Sequence, residues 1–167
     1  MALLHLTIMA NNEKKYNRRV LREKALQILY AFELNGEGLT NLINGITSDI
    51  PLNEDKEFTE KLVNSVLSHQ KEVDNIIKER LANWDMERIA LIDRLLLRIG
   101  ITEILYFNDI PPKVSMNEVI EIAKDFSTSN SSKFINGILD TFLNELRAEG
   151  KLNKSGRGLI DESLPKK

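Results

Sequence analysis

Apolar residues recur along this chain at three- and four-residue intervals almost throughout, and alternating apolar/polar runs are nearly absent, so the pattern predicts helices packed on helices. Asn17 can cap a first helix from about Arg18 to Leu34. Leu21, Ala25, Ile28, Leu29 and Phe32 make one apolar face of it, Leu26 and Tyr30 begin a second, and Asn35-Gly36 ends it. A helix apolar on two sides belongs at the centre of its bundle. Leu39, Leu42, Ile43 and Ile46 predict a short second helix, closed by a loop over 47–52 that contains Pro51. A longer helical region starts at Asn53 or Asp55, with Phe58, Leu62, Val66 and His69 on one face. After a break near 70–74 it continues through Val73, Ile76, Ile77 and Leu81. His69 falls on the apolar side, the position of a packed residue rather than a catalyst.

The most hydrophobic helix spans about Glu87 to Phe107, apolar on nearly its whole circumference and interrupted on one side by Asp93, Arg94 and Arg98. Either Arg94 and Arg98 pair with acids at the bundle edge, or this edge opens onto a ligand groove. Gly100 in mid-helix predicts close approach of a neighbour, since glycine there is about 1 kcal/mol worse than alanine. Pro111-Pro112 stops this helix, and Ser115-Met-Asn-Glu118 reads as a capping box, with Val114 and Val119 as its hydrophobic staple. The helix it would open has Met116, Val119, Ile122, Ala123 and Phe126 on its inner face. Small polar residues from Ser127 to Ser132 predict a loop, and Phe134 or Ile135, Ile138, Leu139, Phe142 and Leu146 a last helix, about Lys133 to Glu149, ended by Gly150. The sum is six or seven helices with short connections: an all-α bundle of two sub-bundles sharing central helices. The expected organisation is a disordered extension over 1–16, one helical domain over 17–150 and a disordered tail over 151–167.

Composition narrows the function. With 167 residues, 42% hydrophobic and 29% charged, the chain can bury a real core. It has no cysteine and only His5 and His69 as histidines, which excludes disulfides and thiolate metal sites and leaves no basis for a metal or cofactor. The stretch 1–10 has no basic residues before its apolar run, so it does not read as a signal peptide, and no stretch reaches the roughly 18 apolar residues of a membrane span. A cytoplasmic protein is expected. Phosphate-binding glycine loops, zinc motifs and nucleophile elbows are all missing, so an enzyme is not expected.

Net charge is −2, yet between Lys14 and Lys24 six cations face one acid, a local +5 that leaves −7 for the remainder. A basic arm on an acidic body is the footprint of nucleic-acid binding, although a solvated helix face gives the same pattern. Single-stranded RNA needs planes for stacking and polar groups for base edges. Phe126, Phe134 and the loop from Ser127 to Ser132 with Asn130 could supply them, if the fold brings them beside the basic helix, while both phenylalanines also sit at core spacing.

Two stretches resemble the bacterial NusB family. Arg18-Arg19-Val-Leu-Arg22-Glu-Lys-Ala-Leu-Gln-Ile-Leu-Tyr30 is similar to its arginine-rich first helix. The run from Asp109 through Ile-Pro-Pro-Lys-Val-Ser-Met-Asn117-Glu118 to Phe126, then Ser131-Ser-Lys133-Phe134-Ile-Asn136-Gly137, resembles its most specific C-terminal block, and Arg94 to Ile104 the buried helix before it. The resemblance implies two packed three-helix bundles and a non-catalytic transcription antitermination factor. Such a factor binds boxA-type RNA with the ribosomal protein NusE, acts on the RNA polymerase elongation complex with other Nus factors, and supports ribosomal RNA synthesis. It implies RNA contacts at Arg18, Arg19, Arg22 and Tyr30, at Arg94 and Arg98, and at Asn130, Lys133 and Phe134. Where this chain's arginine run is shorter than the family's, Lys14 and Lys15 are expected to supplement the phosphate contacts. This reading requires the arginine cluster to share a surface with Asn130 and Phe134. Val20 interrupts what is often a longer arginine run, and Ser129-Asn130 stands where acids are common. Two alternatives remain. One is a helical adaptor or homodimer that binds no RNA. The other is a stand-alone relative of the RNA-binding domain of ribosomal RNA cytosine methyltransferases, though these 167 residues hold no cysteine and no cofactor loop.

Overall fold

The computed structural model describes residues 15–82 and 85–160. Residues 1–14 of the extension expected over 1–16, and the end of the tail, 161–167, lie outside the described residues. Among those described are seven α-helices and no strand: α1 (Arg18–Asn35), α2 (Leu39–Ile46), α3 (Asn53–Ser68), α4 (Gln70–Glu79), α5 (Leu91–Tyr106), α6 (Pro112–Phe126) and α7 (Ser129–Ala148). Short 3-10 turns occupy Met86–Arg88 and Gly156–Leu159. None of the described helices is long and apolar enough to cross a membrane.

The chain forms two compact units, one up to Lys61 and one from Leu62, so the boundary falls inside α3. In the first unit α1 packs on α2. Leu21, Ala25, Ile28 and Leu29 are buried as the spacing predicts, and Leu26 makes the second face alone, because Tyr30 is exposed. Asn17 caps α1 by accepting from the Arg19 amide at 2.9 Å. At the other end Gly36, at φ 73°, turns the chain and donates to the Phe32 carbonyl.

The second unit is built around α5, which contacts α4, α6 and α7. Every residue from Leu95 to Ile104 is buried, including Thr102 and Glu103. A β-carbon on Gly100 would stand 3.2 Å from Leu139 of α7 and 3.4 Å from Val119 of α6, so the close approach expected there is real.

Three boundaries differ from expectation. Helix α6 starts at Pro112, not Ser115: proline at the first helical position has its φ already set and no amide to leave unsatisfied. Ser115 therefore lies inside the helix, fully buried, and donates to Glu103 Oε1 at 3.0 Å instead of capping, while Val114 is exposed rather than stapled. The loop over 127–132 is only Ser127 and Thr128, because Thr128 caps α7 by accepting from the Ser131 amide at 3.3 Å. The polar segment 151–160, expected to be disordered, is packed on the second unit. Lys154 Nζ donates to the carbonyls of Glu103 at 3.2 Å and Phe107 at 2.9 Å, closing the C-terminal end of α5.

Candidate nucleic-acid interface

Helix α1 carries cations in its first turns, where the helix dipole disfavours them. The first unit compensates with acids from α3. Arg18 Nη2 stands 3.7 Å from Glu54 Oε1, its guanidinium carbon is 4.0 Å from the centre of the Phe58 ring, and it remains partly exposed. Arg22 extends towards the same ring at 5.5 Å but is only 2% exposed. This corrects the expectation for Arg22: an enclosed guanidinium presents no fork to a phosphate. Lys24 is bound to Asp49 Oδ1 at 2.9 Å and to the Ile46 carbonyl at 3.0 Å, and this ammonium holds the Asp49 carboxyl below the usual carboxylate range. Tyr16, placed in the extension by the sequence reading, is tied by its amide to Asp55 Oδ2 at 2.9 Å and by its hydroxyl to Asp49 Oδ2 at 3.1 Å. Lys15 is exposed, Arg19 half-exposed, and Tyr30 38% exposed.

In the second unit a groove of about 480 Å³ separates the start of α5 from the start of α7. Arg88, Ile89 and Asp93 border one side, and Ser127, Asn130 and Phe134 the other. Starting α7 at Ser129 puts Asn130 in the first helical turn, exposed, with Phe134 half-buried one turn later. Asp93, only 7% exposed, accepts from Ser127 Oγ at 2.8 Å through Oδ1 and from Ser131 Oγ at 2.7 Å through Oδ2. Lys133 is exposed but does not line the groove, and Phe126, 43% exposed at the end of α6, does not line it either.

The two arginines of α5 behave differently from expectation. Arg98 is 4% exposed and grips Asp74 of α4 with a fork, Nε to Oδ1 at 2.7 Å and Nη2 to Oδ2 at 2.9 Å. Nε and Nη2 are committed to this ion pair and the guanidinium is enclosed, so it presents no exposed fork, which corrects its expected RNA contact. Arg94 is half-buried, with Nε enclosed and without a hydrogen-bond partner. Of the polar residues on α5, then, Arg98 is paired inside while Asp93 borders a groove. His69 is half-buried and stacked on Tyr106 at 3.7 Å, with Nδ1 2.8 Å from the Ser65 carbonyl, a packing role as expected.

The sequence reading missed Arg88, and although it put Asp93 at a possible groove edge and Ser127 to Ser132 near the RNA, it missed the bonds that join Asp93 to Ser127 and Ser131. An acid on an otherwise apolar helix was one signal, because a buried carboxylate needs donors. A serine-rich segment further along the chain was the other.

The pattern that defines the NusB family matches residues 19–144. Among curated relatives, the transcription antitermination protein NusB of Chloroherpeton thalassium is 47% identical over 156 residues, covering 90% of this chain and 72% of that protein. The protein of the same name from Salinibacter ruber is 44% identical over 147 residues, 86% of this chain and 91% of its own. Among solved structures, T. maritima NusB has a TM-score of 0.74 at 32% identity, covering 79% of this chain and 94% of that one. A NusB crystallised with NusE and double-stranded RNA has a TM-score of 0.70 at 25% identity, covering 77% and 96%.

Proposed function

Because the chain belongs to the NusB family, we propose that it is a non-catalytic, cytoplasmic transcription antitermination factor. It binds boxA-type RNA together with the ribosomal protein NusE and acts on the RNA polymerase elongation complex with other Nus factors. The observation that carries this reading is the shared fold with a NusB held in complex with NusE and RNA, across 77% of this chain. The side chains support it. Lys15, Arg18 and Arg19 offer the phosphate-binding cations, whose affinity is salt-dependent. Tyr30 is an exposed ring on the same helix. The groove beside α7 combines an aromatic face at Phe134 and an amide at Asn130, groups that hold an unstacked base. Lys133 adds a cation next to it, and Arg94 is a further, half-buried contact.

Titration of the chain with boxA-like and scrambled RNA, at two salt concentrations and with and without NusE, tests the proposal. Tighter binding of the boxA-like strand, strengthened by NusE and weakened by salt, is expected. Equal binding of both strands with NusE present refutes it and leaves the adaptor.

A further inference from the structure

The geometry points to Asp93 as a positioning residue: by binding Ser127 and Ser131 it fixes the first turn of α7, and with it Asn130 and Phe134, for base recognition. The inference rests on the RNA reading above for what the turn recognises, but not for what holds it.

Asp93 stands at the third position of α5 and reaches the third residue of α7, Ser131, so one carboxylate faces the positive ends of two helices. That arrangement, with two hydroxyl donors, explains how an acid is tolerated at 7% exposure. Proton accounting makes the network directional. Each serine hydroxyl has one proton, and both go to the ionised carboxylate. The two serine oxygens are also within hydrogen-bond distance of each other at 2.8 Å, and Thr128 Oγ1, 3.1 Å from Ser131 Oγ, can donate to it while accepting the Ser131 amide. Removing the carboxylate releases both serines at the point where the chain turns from α6 into α7. Asn130 lies between Thr128 and Ser131, and Phe134 follows one turn later, so the recognition groups inherit whatever freedom those residues gain.

The same accounting separates position from charge. Asp93→Asn can keep the ring of bonds: its amide donates to Ser127, Ser127 donates to Ser131, and Ser131 donates to the remaining oxygen. Asp93→Ala cannot. A positioning role therefore predicts that Asn substantially rescues what Ala loses, whereas a role for the negative charge itself predicts that Asn and Ala fail alike.

The experiment compares wild type with Asp93→Ala, Asp93→Asn and the double variant Ser127→Ala/Ser131→Ala. It reads two quantities: the affinity ratio of boxA-like over scrambled RNA, with its salt dependence, and amide exchange from Ser131 to Phe134. Expected for Asp93→Ala and the double variant are a discrimination ratio lower by about tenfold, the effect of losing a buried charge-assisted bond, an unchanged salt slope, and faster exchange confined to that turn. Asp93→Asn should stay within about threefold of wild type. A folded Asp93→Ala with wild-type exchange overturns the proposal, as does an Asn variant as impaired as Ala. Should Asp93→Ala not fold, the serine double variant decides by the same two readings. A wild type that does not discriminate between the RNAs sinks the RNA reading alone, and the exchange comparison still decides whether Asp93 holds the turn.

Discussion

The Tyr106 phenol is pushed up to about 12, first by burial and then by its hydrogen bond to the Glu72 carboxylate. A folded-state value above the unfolded value near 10 means that the native protein holds this proton longer. The stabilisation is therefore complete below pH 10 and is lost as pH rises towards 12. Subtracting the unfolding free energy of Tyr106→Phe from that of wild type across this range should give a difference that falls with pH, and a flat difference would refute it. Lys154 runs the other way. Burial lowers its ammonium to about 8, so the folded state surrenders a proton the unfolded chain keeps up to about 10.5, and stability rises with pH between those values. Comparison with Lys154→Met over that window should show the rise in wild type only. At the exposed first turn of α7, Asn130→Asp should produce two opposed effects. An acid near a helix N-terminus stabilises it by about 0.3–1 kcal/mol, while the same charge repels a phosphodiester and weakens RNA binding. Thermal unfolding and RNA titration of this one variant should move in opposite directions, and unchanged affinity would count against the placement of RNA at this turn.

Helices α1 to α4 follow the apolar spacing closely, because long amphipathic periods are set by burial, which the residue pattern records directly. What the pattern left unread are features settled by tertiary partners. Ser115 satisfies the local capping rule, but Pro112 starts the helix earlier and the buried Glu103 takes the serine hydroxyl. Ser129 to Ser132 read as a loop by composition, yet their first turn is held by Thr128 and by an aspartate 38 residues before Ser131. Arg98 and Arg22 looked like ligands because a cation's sequence neighbourhood does not reveal whether an acid or a ring encloses it. The segment 151–160 lacks apolar periodicity and is held by backbone and lysine bonds instead. Ser155 donates its amide to the Asn108 carbonyl at 3.0 Å, and Gly158 passes so close to that oxygen that a β-carbon would stand 2.0 Å away. Gly158→Ala should therefore release this strap without unfolding α5 to α7. Proteolysis at 151–160 should accelerate while the helices stay protected, and an unaltered cleavage rate would show that the strap tolerates the added carbon.

At the scale of the whole molecule, affinity and discrimination should belong to different residues. Electrostatic contacts from Lys15, Arg18 and Arg19 release counterions from the nucleic acid, and each phosphate contact contributes about 0.7 to the logarithmic salt slope for a single strand. Base contacts in the groove displace few ions, so they carry sequence preference without carrying slope. Arg19→Ala should thus lower affinity for boxA-like and scrambled RNA by the same factor and flatten the slope by about 0.7. Phe134→Ala should lower only the boxA-like affinity and leave the slope unchanged. Both changes together should be additive if one strand engages the two groups independently, and less than additive if losing either lets the strand leave the other. Additivity is measurable in the same titrations. Two single variants that shift slope and discrimination alike would mean that phosphate and base contacts are not divided between α1 and the start of α7.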